Sequence, residues 1–328
     1  MNAAQYDLSI LIVGFNSVAY LRDCLESIPP AVTRYSYEVL FVNNGDDRSE
    51  DLLRAEYPQV RVFESIGNVG FAAGNGYLAE NAKGRWLLLL NPDTKLYPGA
   101  LDVLLDAAAE HPEYEALGGV TVLEDGAMAR RALLELPSLS ALVRNLIGKG
   151  PPSLSFAPGT AILEVDALTG GFMMVRSDWW SKLGGLDSSF FLYAEELDFF
   201  KRFKEHGGRV AQIADSRLYH DFGSGNVFSP NRIRFWATGN AHYLHKHYPP
   251  LYAYVCIFII WMTMLKRYLG GLLMSWKKEE YARMSRGFSK VTKAPWIWMW
   301  GYNSNRADPR RPLETAASMS IRQGGSSR

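Results

Sequence analysis

Four short apolar runs in the first ninety residues each end on small polar residues, and helical spacing fills the gaps between them. The runs are Ser9–Phe15 (SILIVGF), Glu38–Val42 (EVLFV), Val60–Glu64 and Arg85–Leu90 (RWLLLL). Runs this short, β-favouring and apolar read as strands buried on both faces. After the first, Asn16 and Ser17 are natural N-caps, Leu21, Leu25 and Ile28 recur at helical spacing, and Pro29-Pro30 reads as the stop. Phe71–Ala82 reads as another helix. This alternation predicts βαβ units and a parallel sheet. Ligands of such sheets bind beyond the carboxyl ends of the strands. Asn16-Ser17, Asn43–Asp47 and Asn91–Thr94 fall there.

The remaining chain is less regular. Helices are predicted over Leu101–Ala109, Glu195–Glu205 and residues 231–248, and strands over Asp166–Arg176 and Arg209–Ile213, with a variable loop over 124–165. With 328 residues, 48% of them hydrophobic, the chain can bury a large core plus an appendage. Its 35 basic and 34 acidic residues argue against a nucleic-acid partner. Two distant cysteines, Cys24 and Cys256, make neither a disulfide framework nor a cysteine zinc site, and the start lacks the basic leader of a signal peptide. Leu251–Leu265 is apolar for fifteen residues and is followed by Lys266-Arg267 and Lys277-Lys278. That is shorter than the ~20 residues of a membrane-crossing helix. The expectation is an interfacial helix over 251–276 on the inner face of the plasma membrane, with a core helix or homodimer contact as the alternative.

Four segments carry candidate chemistry. Asp93, in Leu90-Asn91-Pro92-Asp93, sits at a strand tip, where a carboxylate can hold Mg²⁺ or Mn²⁺ against substrate phosphates. Taken alone it reads as a turn or cap residue. Tyr193–Asp198 packs Glu195, Glu196 and Asp198 into a helix start between aromatic flanks. Crowded, desolvated acids raise one another's pKa, which is how a general base near neutrality is made; complementing the helix dipole is the bland alternative. His220 offers an imidazole ligand, or a structural one. Gly67–Gly76 (GNVGFAAGNG) lets backbone approach a ligand, and its weak dinucleotide fingerprint lies outside the first βα turn, which argues against a dehydrogenase.

In this order, the segments resemble glycosyltransferase family 2 across about residues 8–248. The matching pieces are Val13-Gly14-Phe15-Asn16-Ser17, Val42-Asn43-Asn44, Asn68–Asn75, Asn91-Pro92-Asp93, Thr169-Gly170-Gly171-Phe172, Gly184–Tyr193 leading to Asp198 and Arg202, and His220–Ser224. The resemblance implies a GT-A fold: a Rossmann-like, mostly parallel sheet flanked by helices. The catalytic domain would cover 1–228, with a nucleotide half to about 100 and an acceptor half beyond. A helical, aromatic-rich extension (229–302) and a disordered tail (303–328) would follow. It also implies site roles. Val13, Phe15, Asn16, Asn43, Asn68, Gly70, Phe71, Gly74, Asn75, Asn91, Asp93 and Arg202 would bind the nucleotide donor. Asp93 and His220 would hold the metal, and Thr169, Gly170, Gly171 and Tyr193 would face the sugar and acceptor. Glu196 would be the base of an inverting displacement, assisted by Glu195 and Asp198.

Three positions depart from the family pattern: Asn43 and Glu196 stand where Asp is usual, and Gly76 where Asn is common. The Asn-Pro-Asp and Phe-Phe-x-Tyr-x-Glu forms look most like bacterial rhamnosyltransferases of cell-surface polysaccharide synthesis. That implies a dTDP- or UDP-sugar donor, dTDP-rhamnose foremost, a glycan or polyprenyl-linked acceptor, and a cytoplasmic site at the membrane. A nucleotidyltransferase is the competing enzyme, but the first turn has no basic residue until Arg22. A non-catalytic partner protein is the other competitor.

Overall fold

The computed structural model describes residues 4–122, 135–150, 156, 160–220 and 228–302. The chain forms two compact units, Met1–Ser224 and Gly225–Arg328. In the first, strands β1 (Tyr6–Gly14), β2 (Tyr37–Asn43), β3 (Val60–Phe63) and β4 (Gly84–Leu90) alternate with helices α1 (Val18–Ala31), α2 (Ser49–Glu56) and α3 (Phe71–Glu80). The strands pair in parallel in the order β3-β2-β1-β4. Leu8, Ile10, Leu11 and Ile12 of β1 are fully buried, as expected for a strand covered on both faces.

Beyond β4 the chain forms β5 (Thr94–Leu96), α4 (Ala100–Glu110), β6 (Ala116–Val122), α5 (Leu139–Leu146), β7 (Ile162–Glu164), β8 (Phe172–Arg176), α6 (Ser177–Leu183), α7 (Glu195–Glu205) and β9 (Val210–His220). The sheet continues from β4 through β8, β6 and β9 to β5, with β7 beside β9. β8 runs antiparallel to both β4 and β6, so the sheet changes direction where the first four strands end. The second unit holds α8 (Pro230–His247), α9 (Pro250–Met274) and α10 (Glu279–Lys293).

Several boundaries differ from the sequence expectation. α1 runs through Pro29 and Pro30 to Ala31. Its last turn is held from outside: Ile28 and Ala31 are buried, and the Gly99 N–H donates to the Pro30 carbonyl at 2.9 Å. The side chain of Ser17 does not cap this helix; the Val18 N–H donates instead to Asp47 Oδ2, 2.9 Å away on the β2–α2 loop. β8 starts at Phe172, because Thr169 to Phe172 form a turn closed by the Phe172 N–H and the Thr169 carbonyl. β9 continues seven residues past Ile213 to His220. Its pairing with β6 jumps from Gly119↔Ile213 to Val120↔Arg217, leaving Ala214–Ser216 as a bulge. Gly119 makes this bulge feasible, since a Cβ there would lie 2.3 Å from the Ser216 carbonyl oxygen.

At the opposite end of the parallel strands, buried Glu38 accepts from Ser9 Oγ at 2.7 Å and from the Lys83 N–H at 2.6 Å, and pairs with Arg61. Removing a buried acceptor strands its donors, so Glu38→Ala should cost about 3 kcal/mol of stability. Urea unfolding checks this; an unchanged midpoint would mean that the network contributes nothing.

Candidate active site

The carboxyl ends of β1 and β2 meet side by side. A Cβ on Gly45 would lie 2.8 Å from the Asn16 backbone nitrogen, and Asn16 itself has a φ of 50°. Phe15 is 57% exposed at the tip of β1, which leaves an aromatic face open to a flat ligand. Asn43 is buried and internally engaged. Its Nδ2 donates to Asp47 Oδ1 at 3.1 Å and to Glu50 Oε2 at 2.6 Å, while its Oδ1 accepts the Gly45 N–H at 2.8 Å. Two carboxylates around one amide fix which end carries the nitrogen. They also explain why Asn suits this position: an Asp would face both like charges.

The glycine-containing loop closes over these ends. Asn44 Nδ2 donates to the Gly70 carbonyl at 2.9 Å, and the Asn44 N–H donates to the Gly14 carbonyl. Gly74 packs on Val13, where an added Cβ would come within 2.9 Å of Cγ1. Asn75 is buried and donates back to the Phe71 carbonyl at 3.0 Å, whereas Asn68 is exposed. Gly70 has a φ of 88°, and a Cβ there would lie 2.3 Å from the Phe191 carbonyl oxygen, which accepts the Phe71 N–H at 2.9 Å. The ring of Phe71 lies against Gly170, and the Asn91 amide against Gly171. Asn91, Gly171, Gly170, Phe71, Gly70 and Phe191 thus form one chain of contacts from the end of β4 to the acidic turn.

That turn is strained. Tyr193 and Ala194 take φ values of 68° and 71°, a left-handed region unfavourable to residues with a Cβ. The backbone reverses there and starts α7 with Glu195 and Glu196. One oxygen of each carboxyl, Oε2, is buried without a hydrogen-bond partner. Burial, followed by the charge of Glu196, pushes Glu195 well above the usual carboxylate range, and burial pushes Glu196 up to about 7. Asp198 and Arg202 are spent elsewhere. Asp198 is fully buried and accepts from Arg202 Nε at 2.9 Å, while Arg202 also donates to the Leu183 and Gly185 carbonyls at the end of α6. This brace fastens α7 and takes up both side chains that the sequence assigned to catalysis and donor binding.

His220 ends β9, opposite Thr94 of β5. That pairing brings its Nε2 within 3.1 Å of Asp93 Oδ1. The spacing is close to the ~3 Å between neighbouring ligands of an octahedral ion with bonds near 2.1 Å. The oxygen–nitrogen pair fits a divalent ion, and no group of three or more His, Cys, Asp or Glu suited to a metal occurs among the described residues. The contacts of Asn44, Asp47 and Phe191 in this site come only from the structure. Asn44 and Asp47 lie in a polar strand-end cluster that sequence could flag, whereas Phe191 acts through its backbone carbonyl, which leaves no side-chain signal.

Residues 9–162 match the model of glycosyl transferase family 2. The chain is 25% identical over 232 residues to the N-acetylglucosaminyl-diphospho-decaprenol L-rhamnosyltransferase of Mycobacterium tuberculosis, covering 65% of this chain and 75% of that protein. It is 26% identical over 219 residues to the O-antigen biosynthesis protein RfbC of Myxococcus xanthus, covering 65% of this chain but 17% of that longer protein. Among solved structures it resembles the mannosyltransferase PcManGT of Pyrobaculum calidifontis in complex with GDP-Man and Mn²⁺, with a TM-score of 0.58 at 13% identity over 90% of this chain and 87% of that one. It also resembles GalNAc-T7 with UDP, GalNAc and Mn²⁺, with a TM-score of 0.51 at 15% identity over 66% of this chain and 44% of that one.

The raised acid pair gives a pH test. Their folded pKa values exceed the ordinary 4.5, so the folded state binds more protons than the unfolded one, and stability is lost as pH climbs from about 4.5 through about 7. Glu195→Gln should therefore raise the melting temperature at pH 8 and change it little at pH 5; an equal shift at both would contradict the buried pair. With the sheet, the site and these likenesses together, residues 9–162 carry the match to glycosyl transferase family 2, and the chain is a glycosyltransferase of the GT-A fold.

Proposed function

We propose that the chain is an inverting, divalent-metal-dependent transferase that moves L-rhamnose from dTDP-rhamnose to a hydroxyl of a glycan or polyprenyl-diphosphate-linked acceptor. The rhamnosyltransferase relative supports rhamnose as the transferred sugar, its name supports a lipid-linked acceptor, and such an acceptor would place the reaction at a membrane surface. The observation that carries the mechanism is Glu196, half-buried with one carboxyl oxygen shielded and unpartnered, on a turn fastened to the glycine-containing loop.

In this reading Phe15 stacks on the nucleobase, with Val13 and Asn16 beside it. Gly70, Phe71, Gly74 and Asn75 shape the nucleoside wall, with Asn68 at its exposed edge. Asn43 and Asn44 brace that wall from behind. Asn91 and Asp93 face the diphosphate, and Thr169, Gly170, Gly171 and Tyr193 line the sugar and acceptor side. Asp93 and His220 hold Mn²⁺ or Mg²⁺, the imidazole favouring Mn²⁺. When bound, the metal offsets charge on the departing nucleoside diphosphate.

Glu196 accepts the acceptor hydroxyl proton as that oxygen bonds to the anomeric carbon from the face opposite the diphosphate. The carbon–diphosphate oxygen bond breaks, the nucleoside diphosphate leaves, and the anomeric configuration inverts. Burial and the neighbouring Glu196 charge hold Glu195 well above the usual carboxylate range, which favours its neutral form beside Glu196. Asp198 and Arg202 are positioning residues that aim α7.

Turnover should rise with pH through about 7 as Glu196 ionises. Glu196→Gln should lower kcat by at least about 10² while donor binding by calorimetry stays within twofold. Near-normal turnover in that variant would remove Glu196 from the base role. Asp93→Ala should abolish the Mn²⁺-dependent part of donor binding; binding unchanged by Mn²⁺ removal in the parent protein would remove the metal role.

A further inference from the structure

α9 is longer than the apolar run suggested. It spans 25 residues, enough by length and composition to cross a bilayer. Its two faces are unlike. At 100° per residue, the buried positions Ala253, Cys256, Ile257, Ile260, Met264 and Gly271 share one side. On the other, Leu251, Val255, Phe258, Leu269 and Leu273 are exposed and fall within about 40° of one line, and Trp276, just past the helix, is exposed as well. This exposed line runs about 33 Å along the axis, far longer than the isolated apolar residues common on soluble surfaces.

Cations border it on both flanks. Exposed Lys266 lies about 50° to one side of the line, and Lys277 is exposed in the turn that follows the helix. On the other side Tyr268 carries the Lys293 ammonium of α10, 5.3 Å from its ring centre. Lys293 belongs to a row on α10, with Arg283, Arg286 and Lys290, whose 3-4-3 spacing puts four exposed cations on one face. Residues 251–302 hold eight Lys or Arg against two Glu, a net of +6 in a chain whose total is +1. Indoles mark both ends: Trp276 is exposed after α9, and Trp300 lies 6.3 Å from the Tyr254 ring near its start. An apolar stripe with flanking cations and terminal indoles is complementary to a bilayer surface with anionic headgroups.

We propose that the outer face of α9, with the cationic row of α10, docks this protein on anionic lipid bilayers, and that α9 lies in the plane of the surface rather than crossing it. Crossing would require lipid around the whole helix, yet its inner side is covered by α8 and α10. It would also carry Lys266, Arg267 and the α10 row into hydrocarbon. The surface is independent of the donor assignment, and it specifies the face, orientation and lipid charge that the membrane location under Proposed function leaves open.

The test is co-sedimentation of the full-length protein with vesicles of phosphatidylcholine alone or mixed with phosphatidylglycerol, with nucleotide-sugar turnover in free solution as the control for the folded enzyme. The expected result is binding to the anionic vesicles, reduced at least about tenfold by Lys290→Glu with Lys293→Glu. Phe258→Glu with Leu273→Glu should reduce it as much, with turnover kept in both. Brominated lipids should quench tryptophan fluorescence most when the bromine is shallow. Equal binding to both vesicle types, no binding to either, deepest quenching from mid-bilayer bromine, or a dimer in solution that the Phe258/Leu273 variant disperses would each overturn the proposal. Loss of turnover with vesicle binding intact would count against the transferase reading and leave the docking surface standing.

Discussion

The site depends on one backbone contact: the Phe71 N–H donates to the Phe191 carbonyl, with Gly70 pressed against the same oxygen. No side chain fits at Gly70, so the loop at the start of α3 and the turn before α7 touch main chain to main chain. That contact links residues more than a hundred positions apart and brings the acid pair to the ends of the parallel strands. The left-handed Tyr193 and Ala194 complete the arrangement, because they turn the chain sharply enough to begin α7 with Glu195 and Glu196 facing inward. The Asp198–Arg202 brace to the end of α6 then holds the helix against that strain.

A second contact works the same way at the far side of the sheet. β5 is only three residues long, yet it pairs with the last three residues of β9 and so sets His220 beside Asp93. The bulge at Ala214–Ser216 re-registers β9 by three residues before it reaches β5. Without that shift a different side chain would meet Asp93. Gly119 is the residue whose missing Cβ permits it.

The parallel strands were legible because burial on both faces writes an unbroken apolar run, and α7 was legible from its boundary acids and aromatic spacing. β9 was read short because Ala214-Asp215-Ser216-Arg217 has the composition of a turn; here it is a bulge inside a strand, a distinction set by pairing partners far away in sequence. α9 was expected over 251–276 and runs Pro250–Met274; Lys266-Arg267 interrupts the apolar run along the chain while leaving its outer stripe continuous around the helix axis. The cap of α1 was misplaced because Asp47 supplies it across 29 positions. At Asn43 the departure from the usual Asp was visible, but its reason lies in Asp47 and Glu50, which only the fold brings around the amide. The order of motifs carried the family resemblance, whereas the polar side chains spent inside the protein are set by partners far apart in sequence.

The most direct measurement of the account is a proton NMR time course of the purified protein with Mn²⁺, dTDP-rhamnose and a lipid-linked acceptor, following the anomeric signals of donor and first product. A single displacement gives loss of donor with appearance of a rhamnoside of opposite anomeric configuration. A product that retains the donor's configuration would contradict a single displacement with Glu196 as base.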